Sequence, residues 1–337
     1  VHDPSVHDRH PDGLLTDRPA GRRSADRLLS RRGLQVTLGL LWLLDAAFQA
    51  EPANFARDYP LGDLAQSVMG APSWENQAVF SGIRPFAAHW PWWNLASLLL
   101  QAAIGIGLLR GGRWARPALA VSFVWAATIW LLGEGLGMLP TGFAMMLTGA
   151  PGAAFLYVVL GGLAWPRRGV RDVSRRAWAV AWVGLWAGAA SLQVPFVYGA
   201  RQMLSANFAE TSDGQRAFLV RIAGEIAQVA AHDPVAFSAG LAVLQLAVAG
   251  GWLLDRDHPR RWLVLGIVVS AAYWVVGQSM GEVLSAGATD PGTAPLVVVL
   301  ALAGWPVSAR LGQEGRQRVT GPGQRVPVDP LVGVVGQ

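Results

Sequence analysis

The sequence predicts an all-α, polytopic membrane protein with about eight transmembrane helices, arranged as two four-helix repeats in the same orientation. Composition is the first observation behind this prediction, because 52% of the 337 residues are hydrophobic and only 15% are charged. A soluble domain usually has about 25% charged residues. The second observation is a set of eight apolar runs flanked in alternation by arginine. The third is a shift of 144 residues that aligns the two halves of the chain.

The eight apolar runs are the predicted transmembrane spans. Several are shorter than the ~20 residues that a hydrocarbon core of about 30 Å usually requires. Helix tilt or local thinning of the bilayer compensates for such differences. The lipid bilayer is therefore the first partner that the sequence implies. The spans are predicted near residues 33–50, 92–109, 117–138, 152–166, 177–198, 236–254, 262–282 and 293–308.

Arginine sets the predicted orientation. Cytoplasmic loops of membrane proteins carry an excess of basic residues, so every second connection and both termini are expected on the cytoplasmic side of the cell membrane. Arginine is used in place of lysine throughout, which together with abundant Ala and Gly is typical of a GC-rich bacterial genome. The basic clusters are Arg31 and Arg32; Arg110, Arg113 and Arg116; Arg167, Arg168, Arg171, Arg175 and Arg176; Arg256, Arg260 and Arg261; and Arg310.

The internal repeat predicts how the chain is organised. Each copy crosses the membrane four times, so the two copies share an orientation and are related by an axis along the membrane normal. The predicted parts are a disordered cytoplasmic tail (1–32), repeat 1 (33–166), a basic cytoplasmic linker (167–176), repeat 2 (177–308) and a second disordered tail (309–337). The residues that match under the shift include Trp42 and Trp186, Trp130 and Trp274, Glu134 and Gln278, and Gly137 and Gly281.

Two long connections, 51–91 and 199–235, lie on the predicted outer side. Residues 215–231 place apolar side chains at helical spacing, which predicts an amphipathic helix in the plane of the interface or a helix packed as a lid on the bundle. Residues 61–69 show a weaker form of the same pattern.

Each long connection ends in a histidine. His89 and His232 each come shortly before a predicted span, so both are expected near a helix N-terminus at the outer surface. Imidazole is the commonest metal ligand among side chains, and two histidines brought together by a pseudo-twofold axis would form a metal site or a bis-histidine haem site. The alternative is that each histidine caps or anchors a helix while the nearby proline fixes the turn.

Polar residues within the spans define a candidate cavity. Asp45 is a functional candidate because a carboxylate inside a membrane costs about 2.5–3.5 kcal/mol. The midspan residues Gln101 and Gln245 either line a site for a small ligand or join helices by hydrogen bonds. The cavity is predicted to face outward between the repeats. Its candidate residues are His89, His232, Glu134, Gln278, Asp45, Gln49, Gln101, Gln193 and Gln245.

Several chemistries are excluded by composition and motif. The chain contains no cysteine, which excludes disulfides, thiolate metal sites and CxxCH haem attachment. It has no phosphate-binding loop, no GxSxG elbow and no HExxH helix. The basic pI of about 10.5 follows from the cytoplasmic arginines and tails, so nucleic acid is not an expected partner.

The stretch Leu-Gly-Leu-Leu-Trp-Leu-Leu-Asp-Ala at 38–46, the long connection after it and a glutamine-bearing second span that ends in a basic turn resemble the DoxX-like family of bacterial membrane proteins. The resemblance covers about 33–166 and again 177–308, and the tandem duplication departs from the single unit of that family. It implies association with respiratory redox modules, quinone-linked thiosulfate oxidation or thiol maintenance. The absence of cysteine argues against thiol chemistry in this chain.

Three functions remain open from the sequence. The first is a non-catalytic, DoxX-like accessory protein that serves a redox or cofactor partner, itself a membrane or periplasmic protein. The second is a transporter of a small solute or ion, with a site between the repeats near Asp45, Gln101 and Gln245. The third is a membrane enzyme with a metal or haem at His89 and His232. Few charges in the spans argue against an ion-coupled transporter, and the lack of midspan histidines argues against a conventional membrane cytochrome.

Overall fold

A computed structural model describes residues 30–56, 59, 70–198, 204, 207–208, 214–255, 257–285 and 287–306. The chain divides into a main body, Arg27–Trp305, and a second unit formed by Val1–Asp26 with Pro306–Gln337. Nearly all of both predicted tails lies outside the described residues, as do the segment 61–69, Arg256 and Arg310.

The main body is helical, and its described residues form no β-strand beyond one isolated bridge between Arg167 and Val170. Short 3-10 helices occupy several connections: Pro52–Phe55, Gly112–Trp114, Gly135–Thr141, Met146–Thr148 and Ser279–Glu282. The described α-helices are α1 (Arg31–Gln49), α2 (Ser73–Ala87), α3 (Trp90–Arg110), α4 (Ala115–Leu132), α5 (Ala153–Ala164), α6 (Arg175–Ser191), α7 (Val194–Tyr198), α8 (Ala217–His232), α9 (Pro234–Leu254), α10 (Pro259–Val276) and α11 (Thr293–Gly304).

Five helical segments are long and apolar enough to cross a membrane. They are α3, α4 with the turn before it (Gly112–Leu132), α6 continued into α7 (Arg175–Val197), α9 and α10. The apolar helices α5 and α11 are shorter, with 12 residues each. α1 has 19 residues, carries Asp45 and two arginines, and is not among the five. The chain is thus an all-helical protein with several membrane-spanning segments.

The helices pair in the same pattern in the two halves of the body. In the first half α1 packs on α3 and α5, while α4 packs on both α3 and α5. In the second half α6 packs on α9 and α11, while α10 packs on both α9 and α11. The short helices α5 and α11 also contact each other, so they join the halves at the centre of the bundle.

Arginines close one end of the first half, here called the basic end. The Arg31 guanidinium donates to the backbone oxygens of Trp165 at 2.6 Å and Asp172 at 2.7 Å. Arg32 donates to the Leu108 oxygen at 2.6 Å, near the last turn of α3. The Leu108 carbonyl lies in the last turn of α3 and the Trp165 carbonyl directly follows α5, and a basic side chain satisfies such groups at a helix C-terminus. The Asp172 oxygen lies in the connection before α6.

A left-handed turn follows α4, and a second follows α10. Gly135, Leu136, Gly137 and Met138 all have positive φ, and so do the four residues from Ser279 to Glu282. Such backbone costs roughly 1–2 kcal/mol for each residue with a side chain. Each turn is held against the Pro-Gly pair that precedes the next helix: a Cβ on Gly137 would lie 2.1 Å from the Pro151 oxygen, and a Cβ on Gly281 2.4 Å from the Pro291 oxygen.

The structure places an α-helix at each of the eight predicted spans, although two of the predicted boundaries are wrong. The predicted span 117–138 ends at Leu132 and the predicted span 262–282 ends at Val276, because the left-handed turns replace their final residues. Residues 217–231 of the predicted amphipathic segment 215–231 lie in α8, while its placement in the membrane interface or as a lid stays a prediction. The number of membrane crossings beyond the five apolar segments stays a prediction.

Candidate functional site

A cavity of about 900 Å³ lies where α1 ends and α3 begins, here called the cavity end of the bundle. The first half contributes parts of α1, α3, α4 and α5, and the second half contributes its left-handed turn and residues from the segment 287–293. Ligand pockets commonly have volumes of about 300–1,000 Å³. Five of the nine predicted cavity residues line it: Asp45, Gln49, Gln101, Glu134 and Gln278.

Asp45 lies on the buried face of α1, one turn beyond Trp42. Its side chain is only 2% exposed. The Tyr157 hydroxyl of α5 donates to Asp45 Oδ2 at 2.5 Å, and the Tyr157 ring packs on Trp42 with centroids 4.4 Å apart. Asp45 Oδ1 is buried and has no hydrogen-bond partner among the described residues, so one carboxylate oxygen is left for a ligand.

Gln101 on α3 forms a deeper part of the cavity wall. The antiparallel helices α1 and α3 meet at Gln49 and Asn94 near one end and at Gly39 and Gly105 further along. This register places Gln101 level with Trp42, roughly 5 Å or one helical turn below Asp45. Gln101 is 3% exposed, and its Oε1 atom has no partner in the described part of the chain.

Glu134 follows α4, just past the membrane-spanning segment that ends at Leu132. Its Oε1 accepts from the Ala154 backbone N–H at 3.0 Å, at the N-terminus of α5, where the helix dipole favours a carboxylate. Its Oε2 is buried without a described partner. Burial and the nearby charge of Asp290 raise the pKa of Glu134 to about 8, against the lowering effect of the Ala154 N–H.

The ionisable carboxyl and basic side chains among the described lining residues of the cavity are all carboxyls. The described lining contains four carboxyl groups, from Asp45, Glu134, Glu282 and Asp290, and no basic side chain. Asp290 accepts from the Gly292 backbone N–H at 2.7 Å, and burial raises its pKa. Like charges in one site oppose each other's ionisation, so the cavity favours either protonated carboxyls or a bound cation.

Aromatic rings form much of the remaining wall. Phe86 and Trp93 meet edge to face with centroids 4.6 Å apart, and Tyr59 stacks on Trp90 at 5.5 Å. These four rings line the cavity together with Trp42, Trp125 and Tyr157. Ring faces carry partial negative charge and attract cations, so the aromatic and acidic parts of the wall favour the same kind of ligand.

The second half lacks the central polar pair. The position equivalent to Asp45 under the 144-residue shift is Ala189, and Tyr157 corresponds to Val297 once the shorter loop is taken into account. Both replacements are buried. A carboxylate and a phenol in the first half therefore correspond to an apolar contact region in the second.

A difference in loop length separates the two halves further. The connection from Gln278 to Pro291 is four residues shorter than that from Glu134 to Pro151. The longer loop reaches the second half, where Met146 O accepts from Gln278 Nε2 at 3.2 Å. Gln278 Oε1 accepts from the Ala294 N–H at 3.1 Å, as Glu134 does from Ala154. The Gln278 amide thus joins two segments through both of its polar atoms, whereas the Glu134 carboxylate accepts from the backbone N–H groups at the start of α5.

A hydrogen-bonded rim surrounds the cavity on the side of α1. Gln49 Nε2 donates to Asn94 Oδ1, and Asn94 Nδ2 donates back to the Gln49 backbone oxygen at 3.1 Å. Asn54 donates to the Ala288 oxygen at 3.0 Å, while the Glu51 carboxylate accepts from the Gly287 N–H at 3.0 Å. The rim therefore connects the first half to the second.

The remaining predicted residues lie outside the cavity lining. His89 and His232 are exposed at the start of α3 and the end of α8. Gln245 is buried, and its Nε2 donates to the Tyr273 hydroxyl at 3.2 Å within the second half. Gln193 is buried with neither amide atom paired in the described structure.

Among the described residues, no group of three His, Asp or Glu side chains could hold a metal ion. A shared metal or haem site at His89 and His232 stays a prediction.

Tyr157 is the site residue that the sequence analysis missed. A tyrosine in an apolar helix is usually a packing or interfacial residue, so the sequence of the span did not indicate that Tyr157 belongs to a site. The repeat could have provided one, since Tyr157 replaces an apolar residue at the same place where Asp45 replaces Ala189.

Comparison with known proteins found no matching family model, no matching curated protein and no matching solved structure. The resemblance to the DoxX-like family therefore stays a prediction.

Proposed function

We propose that this chain is a small-solute carrier of the bacterial cell membrane, with its solute site in the cavity between two four-helix halves. The observation that carries the proposal is the set of buried, unpartnered acceptors on Asp45, Gln101 and Glu134 that line one cavity. A buried polar atom without a partner costs roughly 1–3 kcal/mol. A solute that supplies hydrogen-bond donors would recover that cost.

The proposal includes the finer architecture. Eight helices cross the membrane, both termini are cytoplasmic, and the halves are tandem copies in the same orientation. The repeated helix pairing and the two left-handed turns, which correspond residue by residue under the shift of 144, support the duplication. The arginine clusters at the basic end support a cytoplasmic location for that end, which would make the cavity face outward.

The accessory role implied by the DoxX-like resemblance is a less direct explanation of the cavity. A quinone presents carbonyl acceptors, for which the described lining offers one unpartnered donor, the Trp125 indole N–H, whereas the unpartnered atoms of Asp45, Gln101 and Glu134 are themselves acceptors. A carrier that binds donor-bearing solutes accounts for these atoms directly. Service to a membrane or periplasmic redox partner stays a prediction.

Thiol labelling in intact cells tests the proposed carrier, because the chain has no native cysteine. Ser97 lines the cavity, whereas its neighbour Ala96 is exposed on the outer side of α3 and would face lipid. We expect Ser97→Cys to react with a membrane-impermeant, charged thiol reagent added outside. Ala96→Cys should not react, because lipid disfavours both the reagent and the thiolate. An unreactive Ser97→Cys in a folded protein would contradict an outward-facing, water-filled cavity.

A further inference from the structure

We propose that the solute is a small primary amine in its ammonium form, held by Asp45, Gln101 and Glu134. This inference rests on the proposed carrier function and names the chemical class of its solute. Its basis is a match between the atoms that the cavity leaves unpaired and the donors that an ammonium group carries.

Hydrogen-bond chemistry gives the first argument. Asp45 Oδ1, Gln101 Oε1 and Glu134 Oε2 are three buried acceptors without a described partner. The side chains of Asp45 and Gln101 are 2% and 3% exposed and line the cavity. A primary ammonium group has three N–H donors and no acceptor. An ammonium group can donate to these oxygens, whereas a carboxylate or carbonyl solute could pair only with the one unpartnered donor of the described lining, the Trp125 indole N–H.

Charge gives the second argument. Asp45, Glu134 and Asp290 line the cavity, and the described lining residues include no Arg or His. These three carboxyls disfavour an anionic solute. A cation would pair with Asp45, whose ionised form needs a counter-ion at this depth because a buried charge is tolerated only when it is paired.

Aromatic walls give the third argument, because they favour an organic cation over a bare metal ion. Trp42 and Tyr157 lie beside the Asp45 carboxylate, with their rings 4.4 Å apart. Such faces bind both the alkyl part of an amine and its charge. Within the described structure no group of three His, Asp or Glu side chains could ligate a metal.

The differences between the two halves indicate that each chain binds one amine. Ala189 and Val297 stand where the first half has Asp45 and Tyr157. Gln278, in the place of Glu134, already uses its amide nitrogen on the Met146 oxygen. The positions that match Asp45 and Glu134 under the shift therefore carry no ionisable side chain in the second half.

A binding experiment on the purified, full-length protein in lipid nanodiscs tests the inference. The probes are methylamine, n-butylamine and 2-phenylethylamine at pH 8, each compared with the alcohol of the same skeleton, and 3-phenylpropionate as the anion. The readout is tryptophan fluorescence, because Trp42, Trp90, Trp93 and Trp125 line the cavity. We expect at least one amine to bind saturably at one per chain. Its alcohol and the anion should bind at least tenfold more weakly.

Matched variants assign the binding to the proposed residues. Asp45→Asn should weaken amine binding by about tenfold to a hundredfold, because a hydrogen bond to a charged group contributes roughly 1.5–3 kcal/mol. Asp233→Asn is the control, since Asp233 is exposed and caps α9 through the Ala236 N–H, and asparagine caps equally well. Gln101→Leu keeps the charge unchanged and should weaken binding by several-fold, which preserves the test if Asp45→Asn fails to fold.

Three results would overturn the inference: no amine binds, an alcohol binds as tightly as its amine, or neither Asp45→Asn nor Gln101→Leu weakens binding in a folded protein. A second experiment distinguishes failure of the amine inference from failure of the carrier proposal. It measures whether a solute protects Ser97→Cys from thiol labelling. If alcohols or carboxylates protect Ser97→Cys and amines do not, the carrier remains and only the amine is wrong. If Ser97→Cys is unreactive without any solute, the carrier proposal itself fails.

Discussion

The Tyr157 hydroxyl donates a hydrogen bond of 2.5 Å to Asp45 Oδ2, which joins α5 to α1 beside the cavity. The bond occupies one carboxylate oxygen and leaves Oδ1 without a described partner. Because Ala189 and Val297 occupy the equivalent positions, the same packing in the second half requires no polar pair. The bond is therefore not a general requirement of the fold, and under the proposed function it orients Asp45 for the solute.

The first prediction concerns the coupling between these two residues. Tyr157→Phe leaves both oxygens of Asp45 without a side-chain donor and should destabilise the protein by about 1–3 kcal/mol. If the pair acts as a unit, Tyr157→Phe should cost much less in an Asp45→Asn background. The measurement is a double-mutant cycle on thermal or denaturant unfolding in detergent. Strictly additive effects would show that the bond does not stabilise the pair.

The second prediction concerns the left-handed turns. Gly137→Ala and Gly281→Ala would each place a Cβ within 2.4 Å of a proline carbonyl oxygen, at positions with φ of +65° and +64°. Each should lower the stability of the folded protein by more than about 2 kcal/mol. Gly184→Ala on α6 is the control, because its Cβ would meet nothing within 4 Å and alanine favours a helix. Equal melting temperatures for the three variants would refute this account of the turns.

The third prediction is a dependence of stability on pH. The pKa of Glu134 is raised from 4.5 to about 8 by burial and by Asp290, with Asp45 also nearby and the Ala154 N–H opposing the rise. The folded protein therefore holds this proton more tightly than the unfolded chain. The resulting stabilisation is complete below about pH 4.5 and is lost as pH rises through about 8.

Thermal unfolding between pH 5 and pH 9 measures this effect. Glu134→Gln should flatten the fall in melting temperature across that window, whereas Glu225→Gln, an exposed residue of α8, should leave it unchanged. Half-buried Asp290 contributes with the same sign, so some slope should persist in Glu134→Gln. A slope identical to that of the unsubstituted protein would argue against a proton shared at Glu134.

The sequence predicted the helices better than their ends. Long apolar runs have few alternatives to a membrane helix, so each of the eight proposed spans is helical. The apolar pattern predicts a span that continues to residue 138, but α4 ends at Leu132 and is followed by left-handed backbone at Leu136 and Met138. Local sequence preferences disfavour left-handed backbone at these residues. Tertiary contact with the following Pro-Gly pair overrides those preferences.

Five of the nine predicted site residues line the cavity, while their role as a site stays a prediction. Asp45, Gln101 and Glu134 stood out because polar groups are rare and costly in a span. The internal repeat predicted that Gln193 and Gln245 line the same cavity as Gln101. In the structure Gln245 donates a hydrogen bond to the Tyr273 hydroxyl within the second half. Repetition in sequence indicates shared structure, whereas a binding site depends on the positions where the copies differ.

The fourth prediction concerns orientation. Single cysteines in place of Arg113 and Arg171, which lie in basic connections, should react with an impermeant reagent only after the cells are opened. A cysteine at Ser285, which lines the cavity, should react in intact cells. The reverse pattern would place the cavity on the cytoplasmic side and refute the arginine-based orientation.

The central claim is that Asp45 lines an accessible cavity, whereas Ala189, its match under the 144-residue shift, does not. Asp45→Cys and Ala189→Cys test it most directly, because the two positions are equivalent in the repeat and both are buried, while only Asp45 lines the cavity. Each variant is exposed in intact cells to a small, positively charged methanethiosulfonate, and modification is followed by mass. The account predicts fast modification of Asp45→Cys and none of Ala189→Cys. Equal rates at both positions, or reaction at Ala189→Cys alone, would contradict it.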